Sequence, residues 1–477
     1  MTNRAIGRLW TLFVVLFAIL ALRATWVMLV EGPQIAAKPY NPRHALLDAR
    51  RGRILATDGT VLAQTQGNAR SYPFGAALAQ TVGYVSARYG TSGIEDAYDR
   101  ALTPPDTTGD PVAQFDEILD AFAGKRSQAH GADVVTTIVP SIQRTLWAAL
   151  AQHARGAGIV LDPSSGAVLA IASVPSYDPE RYDRLFPTLV ADTQSPLLNR
   201  ATSGLYPPGS TFKIFTASAA LENGTVEMDS HFEDPGYLVL GNYTLHDNES
   251  EATGNQDLTG AFALSSNVDF GQIALKMGVD QFYDALDKWG IGDPLDFQLP
   301  AETDRVPPKD SIVPGELAQM GFGQGALLMT PLHMALIGST VANGGVMPRP
   351  YIVRQIVRDG KVASVTPSGT LVTPISAQTA KDVTQMMIAV VERGTGTTAQ
   401  IPGVQVAGKT GTATNPHGAA HSWFVAFAPA DHPRFVVAII VENAGYGADV
   451  AAPIARAVLQ SALALQQETP AARVTNR

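Results

Sequence analysis

Ser210 and Lys213 stand three residues apart in the stretch Tyr206-Pro-Pro-Gly-Ser-Thr-Phe-Lys-Ile. Two prolines and a glycine stop the chain, and an apolar run with helical spacing opens at the serine. A hydroxyl in that place lies beside free backbone amides and the positive end of a helix dipole. At i and i+3 the two side chains share one helical face. The amine can then take the hydroxyl proton, provided it is neutral when it acts, and partial burial or a nearby cation lowers a lysine pKa in that sense. The chemistry implied is attack by an activated serine. An N-cap serine followed by a surface lysine has the same spacing, so the pair alone decides nothing.

Two further elements follow in order: Ser265-Ser-Asn267, then Lys409-Thr-Gly-Thr412 in a glycine-bounded strand context. A serine–lysine pair with Ser-x-Asn and Lys-Thr-Gly elements marks penicillin-binding proteins and related β-lactamases. Each element is weak singly, and their ordered conjunction is strong. On these residues the chain resembles the class B penicillin-binding proteins, monofunctional peptidoglycan D,D-transpeptidases. The likeness extends through Gly158-Ile-Val-Leu-Asp-Pro-Ser-Ser-Gly, Gly323-Gln-Gly325 with Thr330-Pro-Leu, and Ala342-Asn-Gly-Gly. It continues in Gly394-Thr-Gly-Thr397 and Trp423-Phe-Val-Ala-Phe-Ala-Pro. Upstream, Arg51-Gly-Arg-Ile and Gly93-Ile-Glu95 resemble elements of the family's amino-terminal module.

The resemblance implies a role for each motif residue. Ser210 would attack the carbonyl between two D-alanines and form an acyl-enzyme, with Lys213 as general base. Ser265 would relay the proton to the leaving amine, and Asn267 would hold Lys213 and the substrate amide. Lys409 would supply positive potential favouring a neutral Lys213 and an anionic substrate end. In Thr410-Gly411-Thr412, the two threonines would bind the terminal carboxylate. Backbone N–H groups of Ser210 and Thr412 would form the oxyanion hole. The expected substrates are peptidoglycan stem peptides, with β-lactams as covalent inhibitors and no cofactor or metal. The implied partner is a membrane glycosyltransferase of the shape, elongation, division and sporulation family.

Other readings differ in what accepts the acyl group or in whether one is formed. A D,D-carboxypeptidase uses water in place of an amine. A serine β-lactamase needs a base for a deacylating water, and the sequence offers no identifiable one. A β-lactam sensor would need a cytoplasmic signalling part, and a silent scaffold should lack a motif residue, whereas none is missing.

The elements that must position these residues read as α+β, a serine transpeptidase/β-lactamase-like domain with an antiparallel sheet flanked by helices plus a helical subdomain. Arg51-Gly-Arg-Ile-Leu reads as a strand leading to the turn residues Asp58-Gly59, and Val61-Leu-Ala as the second strand of a hairpin. Val134-Val-Thr-Thr-Ile reads as a strand, and Ser141 to Ala154 as a helix with Ser141 as N-cap. Gly158–Asp162 and Ala167–Ile171 form a second hairpin. Val406, Trp423–Ala428 and Phe435–Glu442 read as late strands, and Pro453–Gln466 as a closing helix. Strands at both chain ends imply one sheet that gathers distant segments.

The 477-residue chain holds no cysteine, carries a net charge of −9 and is 45% hydrophobic. It therefore has no disulfide framework or thiolate chemistry, no basic face for nucleic acid, and a composition suited to a packed core. Leu9 to Val30 is nearly continuous apolar sequence broken by Arg23, about 33 Å as a helix and enough to cross a bilayer. The expected order is a cytoplasmic tail (1–8), a single-pass anchor (9–30), a short pedestal module (31–133), an extracytoplasmic transpeptidase domain (134–466) and a frayed tail (467–477). Arg23 would snorkel to the headgroups.

Three weaker signals are read as non-functional. Gly321-Phe-Gly-Gln-Gly lacks the last glycine of a dinucleotide loop and follows a helical segment. His417 and His421 have metal-like spacing, yet they sit in an expected loop with no third ligand. Asn248-Glu-Ser-Glu-Ala reads as solvated surface.

Overall fold

The structure is a computed structural model that describes residues 2–26, 51–67, 69–104, 130–241, 243–247, 252–416 and 418–468. Helix α1 (Thr2–Trp26) carries the first part of the expected anchor. Its apolar side chains are exposed, among them Trp10, Phe13 and Phe17. Among the described residues no helix is long and apolar enough to cross a membrane, and the remainder of the expected span, 27–30, lies outside them.

The expected first hairpin forms from β1 (Ile54–Leu55) and β2 (Val61–Gln66), extended by β3 (Ala69–Ser71). β1 also pairs in parallel with β4 (Asp133–Thr136), aligning Ile54 with Val134. The expected boundary between residues 133 and 134 thus falls inside a strand. Glu95, fully buried, accepts Arg51 Nε at 2.9 Å and Arg70 Nε at 2.7 Å. This pins Arg51-Gly-Arg-Ile and Gly93-Ile-Glu95 together, giving both segments a structural purpose. The helical patterning of Ile94 to Leu102 resolves into two short helices, Gly93–Ala97 and Asp99–Leu102.

Helix α2 spans Pro140–Leu150 and is capped differently from expectation: Val139 is the N-cap, without a side-chain bond, and Pro140 occupies the first turn. Proline suits that position because its missing N–H would be unpaired there anyway. β5 (Gly156–Leu161) and β6 (Val168–Val174) form the second hairpin. After it come α3 (Lys213–Glu222), the hairpin β7 (Tyr237–Leu240) and β8 (Tyr243–His246), α4 (Leu258–Leu264) and α5 (Asn267–Lys288). Then follow α6 (Pro314–Gly321), α7 (Pro331–Ala342), β9 (Val353–Arg358), β10 (Lys361–Val365) and α8 (Ala377–Arg393). The chain closes with β11 (Ala407–Ala413), β12 (His421–Ala428), β13 (Phe435–Val441) and α9 (Ala451–Glu468).

The main sheet is antiparallel in the order β11-β12-β13-β5-β6. β13 bridges the two chain ends, with Val437 opposite Val160 and Ala426. β12 and β13 are buried at every position, because α9 covers one face and α7 the other. A sheet covered on both sides needs apolar residues in both phases, which is why these strands read as unbroken apolar runs. A second sheet, β10-β9-β4-β1-β2-β3, joins the amino-terminal module to residues 353–365. β11 is an edge strand of the main sheet, and it packs against residues 209–212, which lead into α3.

Candidate active site

Four segments meet at that edge. Tyr206 exchanges backbone hydrogen bonds with Met329. Its hydroxyl donates to Glu442 at 2.9 Å, and Trp423 Nε1 donates to the carbonyl of Pro207 at 3.0 Å. Burial, reinforced by the Glu442 carboxylate, pushes the Tyr206 hydroxyl far above its ordinary range. The chain then turns through a 3-10 segment, Gly209–Phe212, before α3 begins at Lys213. Ser210 therefore sits inside the first turn and does not cap it.

Gly209 N–H donates to the carbonyl of Gly323 at 2.8 Å, and both glycines have positive φ, +55° and +78°. A Cβ on Gly323 would lie 2.1 Å from the Gly209 carbonyl oxygen. The Gly-Gln-Gly segment, set aside as a nucleotide loop, thus supports the turn that carries Ser210. Gly323→Ala is expected to shift that turn and slow acylation about a hundredfold, the usual effect of an ångström-scale displacement. Unchanged acylation in a stopped-flow assay would remove this support role.

The motif residues converge around Ser265. Lys213 Nζ donates to the Ser265 carbonyl at 2.5 Å, to Ser265 Oγ at 3.3 Å and to Asn267 Oδ1 at 2.9 Å. Lys409 Nζ donates to the same Ser265 Oγ at 2.7 Å. Ser265 lies between α4 and α5 with φ +67°, a left-handed conformation unusual for a residue with a side chain. Both lysines are fully buried, with Phe270 and Phe322 near Lys213 and Phe262 near Lys409. Among the described residues no hydrogen bond joins Ser210 Oγ to Lys213. The hydroxyl instead lines an open cleft of about 390 Å³, together with Ser265, Thr395, Thr410, Thr412 and Tyr446. Gly411, between the two threonines, packs on Thr211 and Trp423 with no room for a side chain.

Burial lowers the pKa of Lys213, opposed by Asp247, Asp269 and Asp234. Burial lowers Lys409 further, assisted by the charge on Lys213. Both amines reach one hydroxyl, and a positive charge on either disfavours a charge on the other.

Several neighbours escape sequence reasoning. Thr395 Oγ1 lies 2.5 Å from Thr410 Oγ1, and the hint was the Gly-Thr-Gly-Thr segment that contains it. Asp234, Asp247 and Asp269 have no spacing that ties them to a motif. His421 lies in β12 rather than in a loop, buried edge-on against Tyr206, and burial lowers its pKa. His417 and residues 248–251 lie outside the described residues. No group of metal-ligating side chains gathers among the described ones.

Residues 156–460 match the family model "Penicillin binding protein transpeptidase domain", and residues 51–134 match "Penicillin binding protein A dimerisation domain". The peptidoglycan D,D-transpeptidase PbpA of Mycobacterium tuberculosis is 34% identical, over 97% of this chain and 99% of that protein. The ceftriaxone acyl-enzyme of penicillin-binding protein A from M. tuberculosis superposes with a TM-score of 0.80 at 33% identity, covering 88% of this chain and 99% of that one. The D,D-transpeptidase domain of a peptidoglycan glycosyltransferase from Eggerthella lenta gives 0.79 at 35% identity, with coverages of 87% and 98%.

Proposed function

Because the chain belongs to the class B penicillin-binding proteins and is a serine-type peptidoglycan D,D-transpeptidase, we propose that Ser210 is its nucleophile and that Lys213, Ser265, Asn267 and Lys409 handle its proton. The observation that carries this reading is Ser265 Oγ within hydrogen-bonding reach of both lysine amines. Neutral Lys213 takes the proton as Ser210 Oγ bonds to the carbonyl carbon between two D-alanines. The oxyanion faces the backbone N–H groups of Ser210 and Thr412. The tetrahedral centre collapses by expelling D-alanine, whose nitrogen receives the proton through Ser265. An amine of a second stem peptide attacks the acyl-serine, loses a proton to the same relay and releases Ser210. Asn267 holds Lys213 in place and reaches the substrate amide. Lys409, Thr410 and Thr412 receive the donor's terminal carboxylate, and Gly411 keeps that strand close to the nucleophile turn. A β-lactam takes the same attack, and its amide leaving group stays tethered after ring opening.

The exposed apolar face of α1 supports a single-pass anchor over residues 9–30, with the catalytic domain on the extracytoplasmic side. The anchor and the module at 51–134 would hold a membrane glycosyltransferase of the shape, elongation, division and sporulation family. Co-purification of that enzyme undiminished by removal of residues 1–134 would sink the partner assignment. Labelling with a fluorescent penicillin tests the rest. The adduct is expected on the peptide containing Ser210, in the membrane fraction for the full chain and in the soluble fraction once residues 1–30 are removed. An adduct on Ser265 would overturn the nucleophile, and a soluble full-length chain would overturn the anchor.

A further inference from the structure

Asp247 belongs to none of the three motifs, yet it touches the one that binds Lys213. It follows β8, is 8% exposed, and its own N–H donates to the carbonyl of Gly236 at 3.2 Å, closing the β7–β8 hairpin. Its Oδ1 accepts the backbone N–H groups of Asn267 and of Val268, the latter at 3.2 Å. These are the first two amides of α5, which a helix cannot satisfy internally. A carboxylate there also faces the positive end of the helix dipole. The first residue so held is Asn267, whose side chain accepts from Lys213.

We propose that Asp247 is a positioning residue of the transpeptidase reaction: it fixes the Ser265–Asn267 turn on Lys213 by holding the head of α5. This rests on the assignment of Lys213 and Ser265 above. The surroundings show a buried group under tight constraint. Asp247 Oδ2 has no donor, and the neighbouring carboxyl is Asp234, fully buried and accepting from Gly236 N–H and Thr253 Oγ1. Burial, then Asp234, raises Asp247. Asp234 is held low despite burial, by the bonds it accepts from Thr253 and Gly236. Asp269, on the same turn of α5, accepts from Gln256 and is raised to about 6 by burial. The titratable groups around Asp247 are therefore Asp234, Asp269 and the Lys213 amine. When ionised, Asp247 favours the charged, inactive form of that amine.

Two variants separate the two effects. Asp247→Ala removes both the acceptor and the charge, whereas Asp247→Asn keeps a carbonyl oxygen for the two amides. Acylation rate constants with a fluorescent penicillin are read against pH, alongside thermal unfolding. Asp247→Ala is expected to lose up to about a hundredfold in rate. Asp247→Asn should recover most of that loss and move the acid limb to lower pH, because Lys213 has lost a charge that favoured its protonation. Parent-like acylation in Asp247→Ala overturns the proposal. So does an Asn variant that regains unfolding temperature with no gain in rate and no movement of the limb, since that is a purely structural group. Loss of the Ser210 adduct from its assigned peptide in the parent protein would instead strike the site assignment.

Discussion

Lys213→Ala is expected to slow acylation of Ser210 by a penicillin about 10²–10⁴-fold, the usual contribution of general-base assistance, and to flatten the rise of rate with pH. The amine is fully buried, and burial lowers its pKa. Only the neutral amine has a lone pair for the Ser210 proton, so the rate in the parent should climb as pH rises through the lowered pKa and then level. Opposing charges from Asp247 and Asp269 keep the limb from falling far below neutrality. Without the amine there is no such titration, and the residual rate should follow solvent base alone. The measurement is the second-order acylation constant by intact mass at a series of pH values. A variant that labels at the parent rate, or that keeps the parent's limb, would take the base role away from Lys213. Removal also leaves the Ser265 carbonyl and Asn267 Oδ1 without their donor, so unfolding temperatures must accompany the rates.

The placing of Lys213 beside Ser210 was legible in sequence only as a spacing. The i, i+3 rule places its amine on the face of Ser210, but the structure turns that amine toward Ser265 and Asn267 instead. The first turn is 3-10, where side chains at i and i+3 eclipse, so the shared face survives; the acceptors offered by the turn between α4 and α5 are what the spacing could not show. The order of the three motifs correctly implied that they meet, because order survives in the fold even where each local signal is weak. The late strands were legible for a related reason: apolar runs such as Phe435–Val441 suit a sheet covered on both faces. What stayed hidden depends on contacts distant in sequence. β1 pairs with β4 across the whole amino-terminal module, and no local pattern announces a parallel partner. Asp247 reaches Asn267 only because a hairpin folds back on α5. Composition there suggested solvated surface, and the carboxyl at its edge is buried. Ser141 was a reasonable cap by residue type, but Pro140 fits the first turn, and the helix starts one residue earlier.

Ser265→Gly is expected to lose acylation by about 10²–10⁴-fold while holding, or slightly raising, the unfolding temperature. The backbone at Ser265 has φ +67°, and an L side chain in that region costs roughly 1–2 kcal/mol. Glycine relieves this, against an entropic cost of about 0.5–1 kcal/mol in the unfolded chain, so the net change in stability is near zero or favourable. The hydroxyl is nevertheless the one group that both lysine amines reach, at 3.3 and 2.7 Å. Without it the proton has no path between Lys213 and the leaving nitrogen, and Lys409 Nζ is left buried with the Thr410 carbonyl as its remaining acceptor among the described residues. Strain retained at a site where a commoner residue would relax it is what a functional constraint produces. Ser265→Ala would lose the same hydroxyl but keep the strain, so its unfolding temperature should lie below that of the glycine variant at a similarly reduced rate. If the glycine variant acylates normally, Ser265 is a turn residue and the relay must run elsewhere. If it unfolds at a much lower temperature, the hydroxyl serves mainly to satisfy two buried amines.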